Sequence, residues 1–396
     1  MGFLIENGVL KKYTEEKNVT EVIIPANVTI IGADSFWGCA NLYSIILPES
    51  ITRIERCAFW GCSSLKNIDI PDGVEYIGEK AFYKCRNLES IHVSKAVTFI
   101  GNSAFGGCYS LRCIKINKAN QNYSDIDGNL FDKKQTALLQ YAIGKADAEY
   151  IVPDGVVSIG KKAFHYCYRI KSVVLPCSIS SIEDSAFQYC SNLEYISMSD
   201  NIKSIGSRAF QFCRSLSSIK IPPQIESISY AAFQGCEKLS AVKFSDCLIT
   251  IGCRAFQSCS SLTSICFPST LSVIGDRSFE NCTKLSSISF SEKTTYIGDG
   301  AFANCSNLKD IILPATLTYV SCEMFYNCTQ LTTVIIPQNI KSIGDYAFYN
   351  CCNLKAMVIP QSVQSIGWCS FTGCNYYNTF NFPKSLIIDP QLHADS

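Results

Sequence analysis

The sequence predicts a solenoid of stacked repeats, mainly β, and three observations carry that prediction. Cysteines recur every 23 residues at Cys39, Cys62, Cys85 and Cys108, and again from Cys167 to Cys374. A Phe stands three residues before each of these fourteen cysteines, from Phe36 to Phe371. Apolar residues hold fixed offsets around both. Self-similarity at one short period marks a repeat array, in which no unit buries its apolar face alone and neighbours share one core.

Each element of the unit has a physical reason. Segments such as Leu65-x-x-Ile68-x-Ile70-Pro71 carry apolar residues two apart, the period of a short strand with one buried face. Pro after the strand removes a donor and ends the ladder. Five residues before each Phe stands Ile, with Val320 as the exception, and Gly follows it in ten repeats, as in Gly32, Gly78 and Gly344. That Gly is expected to supply a turn conformation. The residue before each Phe is small, usually Ala, with Ser35, Ser278, Ser370 and Met324 as variants. The chain is expected to pass close to its neighbour there. The A-F-x-x-C-x-x-L segment has apolar residues three apart, the spacing of one or two helical turns.

The pattern Leu88, Ile91, Val93, Val97, Ile100, Gly101, Ala104, Phe105, Cys108 resembles the leucine-rich repeat, specifically its 23-residue BspA-like class. The resemblance covers about four-fifths of the chain. It implies a leucine-rich-repeat solenoid, a curved right-handed superhelix. Parallel strands would line its concave face, with short helical or 3-10 turns and loops elsewhere. At about 4.8 Å per strand the arc would measure roughly 65–70 Å. It also implies adhesion, or contact with a host or matrix.

The period organises the chain as one continuous solenoid domain. Residues 1–27 read as an N-terminal capping hairpin, 28–116 as repeats one to four, and 117–152 as a cap-like hairpin insert. Residues 153–386 read as repeats five to fourteen and 387–396 as a polar tail. The insert contains Asp127-Gly128, a tight-turn pair like Asn7-Gly8 in the N-terminal hairpin. Both segments end on a strand and Pro before an Ile-Gly, which marks the insert as a second copy of the cap. At the far end Tyr377, Phe380 and Phe382 replace aliphatic residues and are expected to cap the last rung. An imperfect cap there would leave an edge for a weak homodimer; otherwise the protein is expected to be a monomer.

Composition excludes several classes. Lys+Arg and Asp+Glu are both 34, so the net charge is zero, and hydrophobic residues make up 47%. Disorder is excluded, and so is the broad positive field of a nucleic-acid binder. No apolar run approaches the roughly 18 residues of a membrane span. The start MGFLIENGVLKKY lacks the basic, then apolar order of a secretory signal. With many thiols expected to be free, that points to the cytoplasm; a cell-surface or secreted location by a non-classical route is the alternative. The cysteines number 23, and no Cys-x-x-Cys occurs, so zinc-ribbon and thioredoxin readings lose their key element. Fourteen belong to the period and are expected to be small, inert core residues. Nine others, Cys57, Cys113, Cys177, Cys247, Cys253, Cys266, Cys322, Cys352 and Cys369, are candidates for reactive sites.

No catalytic residue, metal ligand or cofactor motif emerges. His92 and Cys113 fall on adjacent rungs but in different columns. Asp125-x-Asp127-Gly128 begins like a calcium loop, but Thr136 stands where the closing Glu belongs. Amide runs at Gln188, Gln211, Gln234, Gln257 and at Asn281, Asn304, Asn327, Asn350 read as stacked structural ladders. The aromatic stripe Trp37, Trp60, Tyr83 reads as packing beneath the cap.

Function is therefore expected on outward strand positions. Ile312, Ile335 and Val358 are adjacent in the stack and should form an exposed apolar strip; Lys220 and Lys243 are adjacent one rung from Tyr195. These six are the candidate partner-binding residues. The expected function is non-catalytic recognition of an unidentified protein or glycan, the alternative an intracellular scaffold or self-assembling module.

Overall fold

Within each unit, most neighbouring repeats are joined by backbone hydrogen bonds along three separate lines. The computed structural model describes residues 2–14, 19–355, 357–376, 379–383 and 386. By internal contacts the chain forms two compact units, residues 1–171 with 178–190, and residues 172–177 with 191–396. Both are parallel β-solenoids, and among the described residues neither contains an α-helix. Tyr377 and the tail 387–396 lie outside the described residues, and with them the C-terminal dimer edge.

The first line of bonding is the expected I-x-I strand. In the first unit Glu21–Ile23, Ser44–Ile46 and Asn67–Ile68 pair in parallel, as do Ser90–Val93 and Cys113–Ile116. In the second unit Ser218–Lys220 pairs with Ala241–Lys243, Ser264–Cys266 with Ser287–Ser289, and Asp310–Ile312 with Thr333–Ile335. A second line was not anticipated. The residue before Ile and the Ile itself form a two-residue strand in every repeat, such as Arg53–Ile54 and Tyr76–Ile77, again paired in parallel. Two residues carry no readable period, so the sequence pattern is silent about them.

The third line runs through the turn segment. Its apolar spacing of three arises from tandem i→i+3 closures of the 3-10 kind, not from a helix. Trp60 N donates to Cys57 O at 3.0 Å, and Cys62 N to Phe59 O at 3.2 Å. The residue two before each Phe and the residue before each ladder Cys are left-handed throughout, as at Cys57 (φ 56) and Gly61 (φ 76). A left-handed residue ends a helix after one turn. It also turns alternate N–H groups toward the next repeat. Cys57, Phe59 and Gly61 donate to Glu79, Ala81 and Tyr83 carbonyls at 3.0, 2.7 and 2.8 Å.

Side chains inside follow the same spacing. The Phe rings stack in offset pairs, Phe36–Phe59 at 5.0 Å and Phe348–Phe371 at 5.5 Å between centroids. All fourteen ladder cysteines are buried. Cys62 Sγ donates to Phe36 O at 3.2 Å and Cys282 Sγ to Phe256 O at 3.3 Å. The thiol thus fills a small apolar site while supplying a weak donor to the neighbouring repeat. Burial pushes Cys108, Cys282 and Cys328 up to about 12, which removes the reactive thiolate. Of the nine other cysteines, Cys57 and Cys369 are also buried, so they leave the set of reactive candidates.

The Gly after Ile serves a different purpose from the one expected. Its φ is not left-handed. A Cβ at Gly275 would lie 2.6 Å from Cys253 N and 2.8 Å from Gly252 C. The preceding repeat's backbone occupies that space, so close approach is the requirement and not turn conformation.

The N-terminal segment and the insert close the first Phe that follows each by the same device. Strands Gly2–Glu6 and Val9–Thr14 form a hairpin, and Val9 and Leu10 then pair in parallel with Ile30 and Ile31. In the insert, Ala137 and Leu138 pair with Ser158 and Ile159 in the same way. Tyr13 stacks on Phe36 at 5.1 Å and Tyr141 on Phe164 at 5.0 Å, so each cap supplies one ring below the first Phe. Asn129–Asp132 pairs with Ala137–Gln140 as Gly2–Glu6 does with Val9–Thr14, so only the strand Tyr123–Ile126 is an addition in front of this copy, joined to it through Asp127 (φ 49) and Gly128 (φ 70). At the C-terminal end Phe380 and Phe382 lie edge-on to Phe371 at 5.5 and 6.0 Å, as expected of a cap.

Two outcomes follow from this packing. Gly275→Ala forces backbone apart and is expected to cost about 1–3 kcal/mol in denaturant unfolding. Gly38→Ala, where nothing lies within 4 Å and φ is +75, should cost only about 1 kcal/mol; equal losses would refute the distinction. In native protein the exposed Cys177, Cys247 and Cys266 should react first with a thiol reagent, and the sixteen buried cysteines only on unfolding. Rapid labelling of all of them would contradict the buried ladder.

Candidate recognition surface

The first strand of each repeat sends its middle residue inward and its two flanking residues outward. Inward residues Ile311 and Val334 are buried, whereas Ile312 is 67% and Ile335 53% exposed. Ile312 and Ile335 are direct register partners. Val358 occupies the same column and is 62% exposed. Ile335 and Val358 also line a concavity of about 350 Å³ with Thr333, Gln338, Met357 and Asn381. The three expected apolar residues are therefore presented together on one face of the second unit.

The basic half of the expected set is arranged differently. Lys220 and Lys243 are register partners. However, Lys220 Nζ sits 2.9 Å from Asp200 Oδ1, so its charge is already countered from the preceding loop. Tyr195 is exposed, but it stands in the other outward column, with Ser172 as register partner. The strand register therefore does not place its ring beside either lysine. The apolar strip survives as a geometric unit; the Tyr-Lys-Lys cluster does not.

A second apolar pair escaped notice in the sequence. Ile23 (61% exposed) and Ile46 (57%) are register partners at the start of the first unit. Ile23 belongs to the capping segment and so lay outside the repeat columns. Asp69, His92 and Lys115 follow it in the column and end the strip.

The aromatic stripe is only partly packing. Tyr83 is buried, Trp60 half-buried and Trp37 exposed at the cap end. The rings meet at 6.2 and 4.7 Å, and Lys80 lies 5.6 Å over Trp60. Burial, then the neighbouring Tyr166 hydroxyl, raises the Tyr83 phenol well above its usual range. His165 is buried beside Tyr166, and burial together with Lys162 holds it down at about 4. A neutral, buried imidazole has a packing role here.

The remaining candidates resolve into structure. Asn327 Nδ2 donates to Asn304 Oδ1 at 3.0 Å, and Asn350 Nδ2 to Asn327 Oδ1 at 2.6 Å. The Gln run continues through Gln211, Gln234 and Gln257 to Glu280 by the same side-chain bonding. These Asn residues are also left-handed, a conformation Asn tolerates best after Gly. Asp125 accepts from Ile116 N at 2.8 Å, and Asp132 from Thr136 N and Ala137 N. These carboxylates order the insert. His92 pairs in register with Lys115 and Cys113 with Ser90. Among the described residues no group of three or more His, Cys, Asp or Glu is placed to hold a metal ion. Nor is any helix long and apolar enough to cross a membrane.

Comparison with known proteins agrees with this architecture. A family model described as the BspA type leucine-rich repeat region matches residues 10–137, 147–246, 226–355 and 341–389, in six copies. Among solved structures, a leucine-rich repeat protein from Bacteroides ovatus is 28% identical. It superposes with a TM-score of 0.53, covering 98% of this chain and 87% of that one. Another from Eubacterium ventriosum is 21% identical, with a TM-score of 0.49 over 97% and 92% of the two chains. A leucine-rich cell surface protein from Faecalibacterium prausnitzii is 24% identical, with a TM-score of 0.47 over 73% and 92%. No curated protein matches the sequence. With its stacked Phe and Cys ladders and a family model matching most of its length, the chain belongs to the BspA-type leucine-rich-repeat family.

Proposed function

We propose that this protein is a non-catalytic recognition module that binds a protein or glycan partner through the first-strand face of its second unit. The exposed strip Ile312, Ile335 and Val358 carries the reading. Each lies on a hydrogen-bonded rung, so the surface is rigid before contact and loses little entropy on binding. Apolar side chains in contiguous register are unusual on a solvated sheet and mark contact surfaces. The neighbouring concavity gives the partner a shape to fill. The family's adhesive character supports the reading by analogy only.

Scaffolding by self-association is the second reading, because two copies of the same strip could face each other. Cytoplasmic residence belongs to the proposal as well, supported by seven cysteines that are not buried and are unpaired; such thiols persist in reducing compartments.

The triple variant Ile312→Ser, Ile335→Ser, Val358→Ser separates these readings. Each apolar truncation at a contact centre costs about 1 kcal/mol or more, so affinity for the captured partner should fall about 100-fold. Stability should barely change, because all three side chains are exposed. Unchanged partner binding sinks the site. A drop in sedimentation mass instead of partner binding favours self-assembly. For the compartment, protein purified without reductant and then denatured should titrate all 23 thiols; mostly paired cysteines would place it in an oxidising environment.

A further inference from the structure

The insert breaks the third bonding line and leaves donors behind. Lys80, Phe82 and Lys84 of repeat three donate to Asn102, Ala104 and Gly106 carbonyls at 3.2, 2.8 and 2.8 Å. Beyond the insert, Lys162, Phe164 and Tyr166 donate to Asp184, Ala186 and Gln188. The equivalent donors of repeat four are Ser103, Phe105 and Gly107. Where their acceptors would stand, the chain instead runs out into the insert. Among the described residues no protein acceptor receives these three N–H groups.

Orphaned donors in a buried segment are rare and are met by a ligand or solvent. Ser103 and Phe105 are buried, and both line a cavity of about 230 Å³. Its other walls include Leu139, Gln140, Lys161 and Glu183. Ser103 (φ 56) and Gly107 (φ 71) are left-handed. As in the intact repeats, the left-handed residues turn alternate N–H groups to one side of the segment, so Ser103 and Phe105 present two neighbouring donors at the cavity wall.

The polar groups already in the cavity wall leave these donors free. Tyr123 Oη accepts from Ile100 N at 2.9 Å and closes one end. The Gln140 side-chain nitrogen donates to Tyr141 O and Ala163 O at 3.0 and 3.2 Å. Glu183 Oε2 accepts from Lys161 N at 2.9 Å. Lysines and carboxylates both stand nearby, with Lys161 and Glu183 in the wall and Lys80, Lys162 and Glu79 beyond it. Lys162 is held below its ordinary value by burial and by the nearby Lys80 and Lys161.

We propose that this cavity binds a tetrahedral oxyanion, phosphate or sulfate, on the Ser103 and Phe105 N–H groups with Lys161 as counter-charge. The volume exceeds a bare ion, so part of the molecule carrying the oxyanion fits with it. Glu183 in the wall opposes the charge and limits affinity. The site lies in the first unit and is independent of the apolar strip.

Calorimetric titration of the full chain with inorganic phosphate and with glucose 6-phosphate tests this. Dissociation constants of about 1 mM or tighter are expected for at least one of them. Lys161→Gln should weaken binding roughly tenfold, and Glu183→Gln should strengthen it, since the amide oxygen still accepts from Lys161 N. Tighter sugar phosphate identifies a carried group; equal affinity identifies the free ion. Thermal melting confirms that both variants fold. The proposal is overturned by absence of binding for both probes at about 10 mM, or by affinities that neither substitution moves.

Discussion

One distance governs this protein: adjacent repeats must lie a strand spacing apart, about 4.8 Å, around nearly the whole perimeter. Strands alone would require it on one side. Here the turn segments are hydrogen-bonded between repeats as well, with Phe59 N to Ala81 O at 2.7 Å as an example. Large side chains cannot be accommodated between backbones held so close. Phe rings fit because they stack face to face at 4.7–5.9 Å. Cys fits because it is small and its S–H reaches the carbonyl of the preceding repeat. Gly occupies places such as Gly275 where any Cβ would meet the neighbouring backbone, and the buried Ala before most of the ladder Phe residues adds no more than a methyl group.

The same constraint explains why an insertion is expensive and how this one is tolerated. Thirty or more extra residues cannot simply loop out of a stack without exposing two faces of core. The chain instead rebuilds its own N-terminal closure in the middle: a strand pairing with Ser158–Ile159, a tyrosine on Phe164, and a strand Glu149–Ile151 matching Glu21–Ile23. Buried Leu130 and Phe131 fill the gap below. Asn120, fully buried, donates to the Ser94 and Val97 carbonyls at 2.9 Å and seals another edge. The repair is complete for the apolar core and incomplete for the backbone, because a cap layer offers donors toward repeat five without returning acceptors to repeat four.

What the sequence revealed follows from what repetition can encode. Phe36 to Phe371 and the fourteen cysteines are legible because burial tolerates one residue type at one offset. The first strand is legible because I-x-I has a period. The second strand has only two residues, and its partner bonds are set by backbone alone, so no pattern marks it. The left-handed positions were hidden for another reason. They are occupied by Gly, Asn, Lys, Tyr, Phe and Ser in turn, because the interlocked turns impose the conformation and the side chain only modulates its cost. Surface geometry was legible in part. Column arithmetic placed Ile312 beside Ile335, but Asp200 beside Lys220 comes from a loop that no column contains. Ile23 was missed because it precedes the first counted repeat.

The two proposed sites differ in the kind of atom that makes them. The apolar strip consists of side chains on an intact ladder; the same column elsewhere holds Asp69, His92, Lys115 and Ser289, all compatible with the same backbone. Such a surface can change its partner by substitution without disturbing the stack, because outward positions carry none of the spacing constraint. The oxyanion cavity consists largely of backbone N–H groups, and it exists only because the ladder stops at Ser103, Phe105 and Gly107. Substitution of those residues cannot remove the donors, apart from Pro, which cannot adopt a positive φ at Ser103. The insert, and not any single side chain, is therefore what defines that cavity. A solenoid of this kind has two independent routes to a binding surface: varying what projects from its rungs, and interrupting the bonds between them.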